Sequence, residues 1–102
     1  MATTSGMNHL GLSVANLQDT AGFFVGCLGW EESGRDNSYP RTAVSDGNVR
    51  LTLWQVDHHL AVEPFHRRKN IGLHHLALSV QDEQSLDTLA KRIANWPGVE
   101  IR

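Results

Sequence analysis

The sequence predicts an α+β fold built from two related β-α-β-β-β modules, the second of them incomplete. Three observations predict it. A seven-residue motif occurs twice, Asn-His-Leu-Gly-Leu-Ser-Val at 8–14 and His-His-Leu-Ala-Leu-Ser-Val at 74–80, with five identical positions and an offset of 66 residues. Repetition at that spacing marks duplicated supersecondary units. Each copy alternates apolar with small or polar residues, as a strand buried on one face does. Each copy is also followed by apolar residues at helical spacing.

The elements follow in order. Residues 1–6 form a polar, flexible leader. The first module spans 7–56. In the strand over 7–14, Leu10, Leu12 and Val14 point one way and His9, Gly11 and Ser13 the other. Asn16 or Asp19 caps a helix that runs to about Leu28, with Phe23, Phe24, Cys27 and Leu28 on its inward face and Gly29 as its stop. Residues 30–48 are rich in turn formers, with short strands expected over 30–33 and 41–45. Asp46-Gly47-Asn48 is a hairpin turn into a strand over 49–56. That strand places Leu51 and Leu53 on the core face and Arg50, Thr52 and Trp54 on the opposite one.

Residues 57–72 read as a polar, basic connector carrying His58, His59, His66, Arg67, Arg68 and Lys69. The second module spans 73–102. It opens with a strand over 73–80 and continues with a helix over 83–95, capped by Asp82 and carrying Leu86, Leu89, Ala90 and Ile93 inward. Trp96-Pro97-Gly98 stops the helix, and a further strand begins over 99–101. At the same offset the counterparts of residues 39–56 fall beyond Arg102. A sheet so shortened has an open edge, and a second copy in a homodimer is the expected cover.

The bulk composition narrows the function. With 40% apolar residues, 20% charged residues and a net charge of −2, the chain has the profile of a soluble domain and no basic footprint for nucleic acid or an anionic membrane. Cys27 is the single cysteine, so no intrachain disulfide is available, which fits a reducing compartment. There is no apolar signal core and no apolar run of membrane-spanning length, so a cytoplasmic protein is expected. No nucleophile elbow, phosphate-binding glycine loop or zinc-finger spacing is present.

The two modules, each with a histidine at its start, resemble the vicinal oxygen chelate superfamily, which includes glyoxalase I, extradiol dioxygenases and bleomycin-resistance proteins. The resemblance is carried by residues 8–14, 23–30, 51–54 and 72–80. It implies a cupped mixed sheet in which four side chains, from the first and last strand of each module, bind a divalent metal. His9 falls on the first of those positions and His75 on the third. The second is usually a glutamate, and Thr52 stands there. Gln55 falls on the other face unless a bulge reorients it. The fourth position lies beyond Arg102. His74 has core-face parity, and Asn8 is its counterpart in the first module.

Two functions follow. One is a metal-dependent small-molecule enzyme of the glyoxalase or dioxygenase type, a lyase, isomerase or dioxygenase. In it His9 and His75 hold Fe, Mn, Ni or Zn, and the ion chelates vicinal oxygens of a substrate as a Lewis acid. The other is a non-catalytic, antibiotic-sequestering binding protein of the bleomycin-resistance type. Its substrate-binding candidates are Thr52 as a cavity-lining hydroxyl, Gln55 as a hydrogen-bonding amide, and Trp54 as either a stacking surface or a filler of the cup. The Arg67-Arg68-Lys69 run reads as a solvated connector and Cys27 as a buried thiol.

Overall fold

A computed structural model describes residues 1–102, which divide into two compact units, Met1–Val56 and Asp57–Arg102. The fold is α+β. The first unit contains strand β1 (Leu10–Val14), helix α1 (Leu17–Gly22) running on into a π-helical turn over Phe23–Cys27, and strands β2 (Glu31–Asp36), β3 (Arg41–Ser45) and β4 (Arg50–Gln55). The second unit contains helix α2 (Glu83–Ala94).

The β-α-β-β-β unit makes one mixed sheet of order β1-β4-β3-β2. β1 pairs in parallel with β4, while β3 is antiparallel to both of its neighbours. The β3–β4 hairpin closes through Asp46, whose Oδ1 accepts the N–H groups of Asn48 at 2.8 Å and Val49 at 2.7 Å. Gly47 takes φ +97 there, a left-handed conformation that a side chain would strain.

Helix α1 starts where Asn16, extended at φ −141, accepts the N–H of Asp19 on its Oδ1 at 3.0 Å. Of the two candidate caps it is therefore Asn16 that serves. The expected helix to Leu28 is replaced by a short α-helix and a wider π turn. That turn changes the inward set to Leu17, Ala21, Phe24 and Cys27, with Phe23 and Leu28 only half-buried. Gly29, at φ +74, reverses the chain so that Trp30 donates its N–H to the Phe24 carbonyl at 2.9 Å. The core lies between this helical segment and one sheet face, and gathers Leu17, Ala21, Phe24, Trp30, Val44, Leu51 and Leu53. Leu10, Leu12 and Val14 pack against its margin.

The second unit corrects two expectations. The helix forms, with Asp82 Oδ1 accepting the Ser85 N–H at 2.7 Å. The strands expected over 73–80 and 99–101 do not form. A strand exists only through its ladder. In the first unit β1 is held by its parallel pairing with β4. Over 73–80 the alternation is present without ladder pairing, and Leu76, Leu78 and Val80 are exposed. No residue of 57–102 is buried.

Candidate functional site

The sheet has a helix-covered face and an open face, and the register decides which side chains share the open one. Gly11 lies beside Thr52 and Ser13 beside Trp54 across the parallel pair, while Ala43 opposes Thr52 and Arg41 opposes Trp54 across the antiparallel pair. Thr52, Trp54 and Arg41 thus stand together on the side away from α1, all three half-buried.

The indole is fixed at its edge. Trp54 Nε1 donates to Thr52 Oγ1 at 3.1 Å. Gly11 makes room for this arrangement, since a Cβ at that position would lie 3.2 Å from Thr52 Oγ1 and 3.7 Å from Trp54 Nε1. Tyr39, 60% exposed, meets the indole edge-to-face at a centroid distance of 5.2 Å. The Arg41 guanidinium carbon lies 5.4 Å from the indole centroid, within cation–π reach. Arg41 Nη1 donates to the Gly34 carbonyl at 3.3 Å. Across from Arg41, Asp36 Oδ1 accepts the Ser38 hydroxyl at 2.6 Å and the Ser38 N–H at 2.9 Å. The Ser38 hydroxyl first, and the Ser38 N–H next, hold the Asp36 carboxyl below its usual value, with a smaller contribution from the charge of Arg41.

Gln55 has the other parity. β4 pairs without a bulge on either side, so Gln55 shares the helix face with Leu51 and Leu53. Its Oε1 accepts the Leu17 N–H at 2.6 Å, and its Nε2 donates to the carbonyls of Ala15 at 2.6 Å and Val56 at 3.1 Å. The amide clamps the first turn of α1 to the end of β4, away from the Thr52–Trp54 face.

His9 is exposed just ahead of β1, with Nδ1 2.7 Å from Asn8 Oδ1. The amide oxygen accepts only, so Nδ1 is the donor in this contact. His75 lies in the second unit, where its Nδ1 is 2.8 Å from Nδ1 of His74. No group of three or more His, Cys, Asp or Glu side chains is arranged to hold a metal ion. Cys27 is fully buried. No helix is long and apolar enough to cross a membrane.

Arg41 and Tyr39 were absent from the sequence-based set. A signal for Arg41 existed, because Ser45 opposes Arg50 and each step outward from that hairpin turn leads to Arg41 opposite Trp54.

Comparison with known proteins bears on this geometry. A family model described as the glyoxalase/bleomycin resistance protein/dioxygenase superfamily matches residues 6–95. No curated protein matches the chain. Among solved structures, a glyoxylase/bleomycin resistance protein/dioxygenase domain from Frankia sp. EAN1pec is 27% identical with a TM-score of 0.76, over 90% of this chain and 69% of that one. An integron cassette protein from the mobile metagenome of V. cholerae is 20% identical with a TM-score of 0.59, over 93% of this chain and 70% of that one. A counterpart from V. pseudocholerae is 21% identical with a TM-score of 0.59, over 93% and 69%. The last two are likenesses of fold alone.

Proposed function

Because the chain belongs to the glyoxalase/bleomycin resistance protein/dioxygenase superfamily, we propose that the open face of its sheet binds a small organic molecule, with Trp54 as the planar contact and Thr52 as the group that orients the indole. The supporting observation is the fixed, half-buried indole with its N–H on Thr52 Oγ1 at 3.1 Å and Gly11 beneath its edge. A ring held in this way loses little freedom when a ligand lies against it. Gln55, occupied by three backbone groups, supports the face from behind and does not contact the ligand. The test is calorimetric titration of the full chain with 2-naphthol, a neutral planar probe. Wild type binds, and Trp54→Leu binds about tenfold more weakly, the scale of one stacking contact. Equal binding by the two proteins would refute the assignment.

A metal-dependent reading is favoured by one observation. The Asn8 amide oxygen holds the Nδ1 proton of His9, the arrangement in which the other ring nitrogen becomes a metal ligand. The remaining donors fit a metal centre poorly. Thr52, at the position where the resemblance expects a glutamate, is neutral, and its hydroxyl oxygen already accepts from Trp54. Elemental analysis for Fe, Mn, Ni and Zn on wild type and on the His9→Ala/His75→Ala double variant decides the matter. Stoichiometric metal lost in the variant supports the metal reading, and metal unchanged by the substitutions removes it.

We also propose that residues 7–56 and 73–102 are related modules joined by 57–72, and that the chain works as a homodimer. The unburied apolar residues of the second unit support the dimer.

A further inference from the structure

We propose that the ligand of the open face is an aromatic carboxylate, and that Arg41 is the residue that reads its charge. The inference rests on the reading that the Thr52–Trp54 face is the ligand face. Its own foundation is the state of the Arg41 guanidinium.

Arg41 is a half-buried cation with no carboxylate bonded directly to it. The indole of Trp54, directly across the ladder, holds the guanidinium at 5.4 Å. Of the five N–H donors that a guanidinium offers, one reaches the Gly34 carbonyl over a long 3.3 Å, and the others have no partner within the chain. The nearby carboxylate of Asp36 feels its charge but does not occupy its donors. Asp36 spends its Oδ1 on the hydroxyl and N–H of Ser38 and forms no ion pair with Arg41, whereas Arg35 and Arg102 are each paired with a glutamate. A guanidinium with unused donors in a fork matches the two oxygens of a carboxylate. Beside it stand two rings, Trp54 and the largely exposed Tyr39, set edge-to-face at 5.2 Å. Charge recognition and a planar apolar surface therefore adjoin on one face. A planar ring bearing a carboxylate engages both at once.

The experiment is titration of the full chain with 2-naphthoate and with uncharged 2-naphthamide, in wild type, Arg41→Gln and Arg41→Lys, at low salt. Wild type prefers 2-naphthoate by about tenfold, the value of one charge-assisted contact at a partly exposed site. Arg41→Gln loses that preference, weakening 2-naphthoate far more than 2-naphthamide. Arg41→Lys keeps part of it, because charge survives while the fork is lost. Equal affinity of wild type for both probes, or a loss of both alike in Arg41→Gln, would overturn the charge assignment and leave the ligand face standing. Failure of wild type to bind either probe, together with failure to bind 2-naphthol, would overturn both.

Discussion

Gly11 and Gln55 show how single residues set up the open face from opposite sides of the sheet. A methyl at position 11 would press on the Thr52 hydroxyl at 3.2 Å, which in turn holds the indole. Gly11→Ala therefore shifts the Trp54 indole N–H resonance in a proton–nitrogen correlation spectrum and costs about 1 kcal/mol of stability by overpacking. Gln55→Leu removes the acceptor of the Leu17 N–H, which belongs to a buried residue. A buried amide left without partners costs about 1–3 kcal/mol, read as a lowered urea midpoint with the Trp54 environment unchanged. Strand alternation puts Thr52 and Trp54 on a common face, and the register does the same. It also gives Gln55 its opposite parity, but the clamp onto α1 joins residues 38 apart and no local pattern encodes it.

At the scale of elements, the hairpin and the helix starts were legible because their signals are local. Asp-Gly-Asn specifies a turn, and Asn16 and Asp82 specify caps. The π turn at Phe23–Cys27 was not legible, since an apolar spacing fits both windings until the core selects one. The strand over 73–80 failed for a different reason. Periodicity states which face a segment would bury, but a ladder needs a neighbour, and periodicity is silent about neighbours. The hairpin makes a pH prediction. The Val49 and Asn48 N–H groups, in that order, hold the Asp46 carboxyl below its usual value. The folded state thus favours the charged form. Its contribution is complete above the unfolded carboxyl value of about 4 and is lost as pH falls through the lowered folded value. Asp46→Asn is less stable than wild type at pH 7, and the gap narrows toward pH 2, as thermal melts across that range will show.

At the scale of the whole molecule, the two units differ in what holds them. The first has a closed core in which Leu51, Leu53 and Val44 are fully buried. Leu53→Ala should cost it about 2–5 kcal/mol by leaving a cavity, measured by urea denaturation. The second unit exposes Leu73, Leu76, Leu78, Val80 and Leu86 and buries no residue. Sedimentation equilibrium tests the proposed homodimer. A dimer at micromolar concentration that dissociates in Leu76→Asp/Leu78→Asp supports it, and a monomeric wild type removes it. The family was legible from the repeated motif, because that motif carries both the alternation and the histidine. The open face was only partly legible. Arg41 and Tyr39 join it through the ladder and an aromatic contact, which are properties of the assembled sheet.

The parallel pairing of β1 with β4 also has a temporal consequence. Leu10 meets Leu51 and Val14 meets Gln55, so the strand of this sheet that is made first pairs with the one that is made last. β2, β3 and β4 zip from neighbouring chain, while β1 must wait through the synthesis of everything between. During that interval Leu10, Leu12 and Val14 are a nascent sticky segment, and the open face of the sheet is not assembled until β4 has emerged. Pulse-labelled hydrogen exchange during refolding should accordingly protect the β3–β4 amides before those of β1.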